Sequence, residues 1–289
     1  MADSIIDTLC SAARDGEGEE IKRLISEEEG GEGGGGVDVV DMFKIPCGED
    51  GDGQEEGTNK LCAFEELCLG GDVAMVEWVL EAISRGGSEG GGDGRVYSEE
   101  ERKAIKEGCE NGIAIGAMMG SVEMVKKVVE VGLGLGEEVG VDVNAGSDKS
   151  GGETPLVLAC RHGNVDVARF LFEHAGCEFE HGGREKNPFL AACCGNSQGC
   201  SDVVAWWVDH VWRGGEGDVP VLLDRTCELD MQDSAHILFS KAHADHNDIV
   251  RALARAGADL PAALQIALSK GSMASRAQQN LHAAQHNLP

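Results

Sequence analysis

The feature that most constrains the fold of this chain is a segment of about 20 residues that returns along the sequence in recognisable copies. The clearest copy, Glu153–Cys177, reads ETPLVLACRHGNVDVARFLFEHAGC. Thr154 can cap a helix N-terminus, and Pro155 fits the first helical position because its missing N–H is not needed there. Gly163 and Gly176 suit the left-handed residue that ends a helix. The segment therefore predicts a hairpin of two short helices.

Apolar side chains recur in this segment with the spacing of an amphipathic helix. Leu156, Ala159 and Cys160 mark the first helix, and Val165, Ala168, Leu171 and Phe172 mark the second. One hairpin cannot bury both of its apolar faces, so the copies are expected to stack on one another. Weaker copies occupy Thr8–Ile25, Phe64–Leu80, Ile113–Val129, Asn187–Val208 and His236–Asp259.

The segment Glu153–Cys177 resembles an ankyrin repeat, whose family pattern is T-P-L-H-x-A-A, a glycine, a V-x-x-L-L helix and a closing G-A. The positions that match are Thr154, Pro155, Leu156, Ala159, Gly163, Ala168, Leu171 and Gly176. Val157 stands where the family usually has histidine, and the other copies lack the full Thr-Pro-Leu opening. The resemblance implies an all-α solenoid of helix–turn–helix repeats, with about six repeats and a C-terminal cap.

The copies set the expected boundaries of a single repeat array. Glycine-rich, acidic blocks at about 27–58, 86–98 and 132–152 separate the first four cores. These blocks offer little apolar surface to offset the entropy of ordering, so they are predicted to be flexible insertions. The repeat cores are expected at about 5–26, 61–82, 110–131, 153–176, 187–210 and 234–259, and the cap at 260–286.

The charge of the chain limits its partners. Residues 1–150 carry 13 basic and 35 acidic side chains, a net charge of −22, whereas residues 151–289 carry 11 and 17, a net charge of −6. Such a field repels phosphate, so nucleic acid and anionic membranes are poor partners. It favours a partner protein with a basic surface. Acidity that serves only solubility is an equally good interpretation.

The cysteines and the N-terminus favour an intracellular, cytoplasmic protein, with the nucleus as an alternative. Eleven cysteines cannot all pair within the chain, and Asp3 and Asp7 interrupt any apolar signal segment. We therefore expect a reducing compartment with free thiols. Several cysteines on helical stripes are interpreted as small core residues: Cys10, Cys62, Cys68, Cys109 and Cys160.

Motifs for enzyme chemistry are absent from the sequence. It contains no GxSxG, P-loop or HExxH motif, and no CxxC pair. The alternative is a zinc-dependent regulator or enzyme with a site near residues 193–200. Its candidate ligands are Cys193, Cys194 and Cys200, with Cys177 and His181 nearby and His243, His246, His282 and His286 towards the C-terminus. Surface or core roles are favoured for these residues, so neither a cofactor nor a metal is expected.

The resemblance implies a protein-binding adaptor or scaffold, without catalytic activity, that acts as a monomer through its concave face. Ankyrin-like proteins generally bind through hairpin tips and the exposed face of the first helix. Transferred to the best-matched repeat, this places Arg161 and His162 on that face and puts Lys149, Arg184 and Lys186 on the neighbouring hairpins. The fold alone does not name the partner.

Overall fold

The fold was analysed in a computed structural model of the 289-residue chain. It describes residues 2–26, 37–44, 46–47, 61–85, 97–136, 139–147, 151–179, 187–195, 197 and 199–207. The chain divides into two compact units, Met1–Ser150 and Gly151–Pro289. In the described part of both units the regular elements are α-helices, which confirms the all-α ankyrin-type fold.

The first unit is built from three helix hairpins. The first helices α1, α4 and α6 pack side by side, α5 packs on α7, and each first helix packs on the second helix that follows it. The helices of this unit are α1 (Ala2–Asp15), α2 (Gly18–Ser26), α3 (Asp41–Lys44), α4 (Ala63–Gly70), α5 (Val73–Ser84), α6 (Glu99–Met119) and α7 (Val122–Gly134).

The described part of the second unit repeats the arrangement with two hairpins. The first helices α8 and α10 pack together, and so do the second helices α9 and α11. The helices are α8 (Pro155–His162), α9 (Val165–Glu173), α10 (Pro188–Cys194) and α11 (Cys200–Trp206). The described hairpins overlap the first five expected cores, although α6 begins before the third, and the core boundaries stay a prediction. The sixth core and the cap, at 234–286, lie outside the described residues, so the repeat count stays a prediction.

Local sequence signals explain where these helices begin and end. Thr154 accepts a hydrogen bond from the Val157 amide at 3.4 Å and Pro155 opens α8, as expected. Asp72 and Ser121 cap α5 and α7 in the same way. The first helices α1, α4, α6 and α8 are each followed by a glycine in the left-handed conformation: Gly16, Gly71, Gly120 and Gly163, with φ of 72°, 79°, 80° and 77°.

Helix α6 is much longer than the other first helices. Its 21 residues begin well before the expected core at 110. Ser98 and Glu101 form a capping box at its N-terminus, in which each side chain bonds the other residue's amide, at 2.9 Å and 3.2 Å. The sequence did not predict this extension, because the residues that follow the cap are mostly polar, include Gly108 and Gly112, and form only a weak apolar stripe.

Residues 37–47 differ from the prediction of a flexible insertion at 27–58. Val40, Met42 and Phe43 are buried there, and Phe43 stacks on Phe64 of α4 with ring centroids 4.4 Å apart. A Cβ at Gly108 would lie 2.4 Å from the Phe43 ring, so glycine makes room for this contact on α6. The segment is ordered because it brings its own apolar side chains to α4 and α6. The remaining residues of 27–58 lie outside the described residues.

The expectation that Cys10 has a free thiol is wrong. Cys10 and Cys47 form a disulfide, with Cα atoms 5.5 Å apart, within the range that disulfide geometry allows. Residues 46–47 return to α4: the Cys47 amide donates to the Leu61 carbonyl at 2.7 Å. The disulfide thus joins α1 to a segment that also packs on the next hairpins. The other cysteines expected in the core are buried free thiols: Cys62, Cys68, Cys109 and Cys160.

Residues 139–147 also differ from the predicted insertion at 132–152. Val139, Val141 and Val143 are buried, and the Asp142 amide donates to Glu110 at 2.9 Å. The Ser147 hydroxyl donates a hydrogen bond of 2.8 Å to the side-chain oxygen of Asn111. The side-chain amide of Asn111 in turn donates one of 2.6 Å to the buried carboxylate of Glu65. This chain of hydrogen bonds ties the segment to α6 and α4. The third expected insertion, at about 86–98, is described only for its last two residues.

The core of the second unit contains Trp206, the last residue of α11, and Trp207, which follows it. Adjacent side chains on a helix do not face each other, so one groove would leave part of one ring exposed. Instead Trp206 is 3% and Trp207 0% exposed. Both rings pack against aromatic neighbours: the centroid of Trp207 lies 4.8 Å from Phe172 and 5.0 Å from Phe179. Aromatic side chains from before α11 therefore cover the second ring.

Candidate protein-binding face

The first helices of both units leave the same positions uncovered. Counted back from the left-handed glycine that follows α1, α4, α6 and α8, these are positions two and one. Position three, by contrast, is buried in all four helices. We call the set at positions two and one the first-helix face. Its residues are Arg14 and Asp15 on α1; Leu69 and Gly70 on α4; Met118 and Met119 on α6; and the half-buried Arg161 and the exposed His162 on α8.

In the first unit this face changes from polar to apolar. At the polar end, Arg14 of α1 pairs with Glu66 of α4 at 3.2 Å. The hydrogen bond that Arg14 donates to Glu66 raises the pKa of the Arg14 guanidinium, which stays charged. At the apolar end, the exposed fractions are 38% for Leu69, 36% for Met118 and 55% for Met119. Large apolar side chains are normally covered, so this end of the face is available for contact.

In the second unit the structure brings two of the predicted site residues together. Arg161 forms an ion pair with Glu153, a buried residue just before α8, so its charge is matched within the repeat. His162 is exposed beside it. Partial burial of the ring lowers the pKa of His162, and the Arg161 charge lowers it further, which favours the neutral imidazole at pH 7. Lys149, Arg184 and Lys186 lie outside the described residues.

The cysteines proposed as zinc ligands are spread between core and turn. Cys193 is buried in the core. The Cys200 thiol donates to two carbonyl oxygens at the end of α8, that of Arg161 at 3.3 Å and that of Cys160 at 3.8 Å. Burial raises the pKa of Cys200, which favours the thiol over the thiolate that binds metals. Among the described residues, no three His, Cys, Asp or Glu side chains are grouped to hold a metal. The Cys194 side chain, His181 and the C-terminal histidines are outside that part.

Sequence reasoning missed the apolar end of the face. Leu69 and Met118 lie two residues before Gly71 and Gly120, the position that Arg161 holds before Gly163. Only the best-matched repeat was used to choose site residues, because its register was clear. Applying that register to the weaker copies would have identified both residues.

None of the described helices is both long and apolar enough to cross a membrane. Even the long α6 begins with three glutamates and contains several lysines. The structure thus presents exposed helix faces rather than a membrane-spanning element in its described part.

Comparison with known proteins agrees with the hairpin geometry. The family model for ankyrin repeats, in three copies, matches residues 71–183 and 113–211. Among solved structures, the ankyrin repeat domain of human ASB11 is similar in fold, with a TM-score of 0.52 and 18% sequence identity over 94% of this chain and 96% of that one. A search of curated protein sequences finds no match. The first helices end at glycines and stack on one another, and the family model matches residues 71–183 and 113–211, which shows that this chain contains ankyrin repeats.

Proposed function

We propose that this protein is a non-catalytic adaptor or scaffold that binds another protein through its first-helix face. Ankyrin repeats in general are protein-binding modules, and the family is typically without catalytic activity. The observation that carries the proposal is the repeated exposure of the same two positions at the ends of the first helices α1, α4, α6 and α8. A surface built from equivalent positions of stacked repeats suits an extended partner rather than a small molecule.

The charge of the chain supports a partner with a basic surface rather than nucleic acid or an anionic membrane. The first 150 residues have a net charge of −22, which attracts cations and repels phosphate. We further propose that the protein acts as a monomer inside the cell, in the cytoplasm or the nucleus. The concave face of the array would then be free for the partner.

Affinity capture tests the role of the face in its second unit. The full chain, immobilised, is exposed to extract of the native cell, and bound proteins are compared with those on a His162→Ala chain. His162 is preferred to Arg161, because removing Arg161 would leave the buried carboxylate of Glu153 without its cation.

The matched control is Arg169→Ala, an exposed side chain on the second helix α9. We expect a specific partner to be lost from the His162 variant and kept by the control. Lys149→Ala, Arg184→Ala and Lys186→Ala together test the neighbouring hairpins. A partner retained by all the face variants would contradict this location, and the absence of any specific protein would contradict the function.

A further inference from the structure

The end of α6 carries an apolar stripe in which Met118 and Met119 are exposed and Ile115 is half-buried. Ile115, Met118 and Met119 lie on one side of the helix, at i, i+3 and i+4. The opposite side faces α7: a Cβ at Gly116 would lie 2.8 Å from the Val125 side chain, and Ala117 is fully buried. The packing that fixes α6 therefore directs the methionines outward.

The neighbouring first helix extends this stripe. Leu69 is at the register position of Met118, and α4 packs beside α6. We call Leu69, Ile115, Met118 and Met119 the methionine patch. Among the described residues, the large apolar side chains with marked exposure are Leu69, Met118, Met119 and Leu133. Single exposed apolar residues are ordinary, but a group on adjacent helices indicates a contact surface.

The surroundings of the methionine patch are acidic. Asp15 and Glu17 are exposed at the turn after α1, and Glu123 is exposed in the first turn of α7. Arg14, the described cation at the polar end of this face in the first unit, pairs with Glu66. A partner that covers the patch must therefore combine apolar side chains with basic ones. Methionine is unbranched and polarizable, so it adapts to aliphatic and aromatic side chains alike.

We propose that the methionine patch docks a basic amphipathic helix of another protein, with its apolar face on the patch and its lysines and arginines towards the acidic rim. This inference rests on the proposed protein-binding function and adds the site and the chemistry of the partner. The apolar contacts hold the helix in place, and the charges speed its approach and orient it.

The experiment uses methyl NMR of the full chain labelled at its methionine methyl groups. The probe is a synthetic helical peptide with leucines along one face and lysines along the other. Met118→Leu and Met119→Leu assign the two signals. We expect the methyl signals of Met118 and Met119 to shift on titration, while those of the buried Met75 and Met124 stay in place. A second peptide, with serine in place of every leucine, separates apolar docking from charge attraction.

Substitution then tests the affinity. The double substitution Met118→Gln with Met119→Gln should weaken binding of the leucine–lysine peptide about tenfold or more. The free energy gained by burying one methionine side chain is at least the free energy that corresponds to a tenfold change in affinity. The matched control is Leu133→Gln, an equally exposed apolar residue on α7, outside the patch, which should leave the affinity unchanged.

Three outcomes would overturn the proposal. They are no shift of the Met118 and Met119 signals, equal binding of the serine–lysine peptide, and equal weakening by Leu133→Gln. If the peptide experiment fails in this way while affinity capture still recovers a specific partner, only the methionine patch is excluded as its docking site. If capture also recovers nothing, the protein-binding function itself fails.

Discussion

Gly199 lies so close to the neighbouring hairpin that a single methyl group would not fit. A Cβ at this position would be 2.2 Å from the Gly163 carbonyl oxygen and 3.0 Å from its carbon. The obstacle is backbone, which cannot rotate away as a side chain can. Close packing between these two turns therefore depends on the absence of a side chain, since interiors tolerate little added volume.

We expect Gly199→Ala to destabilise the second unit by about 1–3 kcal/mol, the usual cost of overpacking. The measurement is urea unfolding followed by tryptophan fluorescence, because Trp206 and Trp207 lie in this unit. Gly134→Ala is the matched control: a Cβ there meets no atom within 4 Å, and alanine is the better helix former in α7. Equal stability of the Gly199 variant and wild type would contradict the close approach.

Glu101 links stability to pH. Its carboxylate accepts a hydrogen bond from the Ser98 amide and pairs with Lys44 at 3.3 Å, which lowers its pKa to about 2. A carboxylate with a lowered pKa in the folded state stabilises the fold above its unfolded pKa, and this contribution disappears as the pH falls from about 4.5 towards 2.

We expect Glu101→Ala to lower the free energy of unfolding by about 1 kcal/mol at pH 7, as for other lost helix caps. The difference from wild type should shrink as the pH falls from 5 to 2. Glu100→Ala, one residue earlier and exposed, serves as the control in the same urea titrations. A difference independent of pH would show that the cap does not depend on the charge.

On the scale of single elements, the helix hairpins could be predicted from the sequence, and residues 37–47 could not. The hairpins depend on local signals: capping residues, terminal glycines and helical periodicity. Helix α3 has four residues, and its position depends on Phe64 and Gly108, which follow it by more than twenty and sixty residues. Composition alone predicted flexibility there because it does not show which distant residues supply contacts.

The disulfide allows a sharp proteolysis experiment on this segment. The glycine-rich, acidic composition of 27–36 and 48–58 predicts cleavage there before any cleavage within α8 and α9. Residues 37–47 are packed on α4 and α6, so they should resist. Without reductant, the excised fragment should remain attached to the N-terminal peptide through Cys10 and Cys47. Mass spectrometry with and without dithiothreitol checks this, and cleavage inside 37–47 would contradict the packing.

At the scale of the whole molecule, the charge is distributed unevenly, with −22 on residues 1–150 and −6 on the rest. Exposed ion pairs are individually weak, about 0–1 kcal/mol, and salt screens them. Their combined effect on a basic partner should therefore appear mainly in the association rate. We expect association to slow markedly between low and physiological salt, with a smaller change in dissociation, measured by surface plasmon resonance.

Substitution of acidic side chains in this half of the chain should imitate added salt. The suitable set is Glu27, Glu28 and Glu29 with Glu99 and Glu100, each changed to Gln, whereas Glu101 is kept because it caps α6. The control changes charge in the opposite direction: glutamine replaces Lys22, Lys103 and Lys106. This variant is more acidic than wild type, so its association with a basic partner should be faster. If neither salt nor these substitutions change the association rate, the acidic side chains serve solubility alone.

The binding face was predictable only in part, for a physical reason. Arg161 and His162 follow from the register of one well-matched repeat. The same register places Leu69, Met118 and Met119 on this face, but their exposure depends on how successive hairpins stack. An apolar residue on a helix has the same letter in the sequence whether another helix covers it or not.

The link between Cys10 and Cys47 also affects how the molecule responds to tension. The two half-cystines are 37 positions apart in the sequence, and this stretch of chain would span about 130 Å when fully extended. If the chain is pulled from its two ends, that length stays hidden as long as the disulfide is intact, because force passes through the sulfur atoms. A reductant should release it as one additional step in a single-molecule stretching trace. The reach of this protein under load would thus depend on the thiol chemistry of its surroundings.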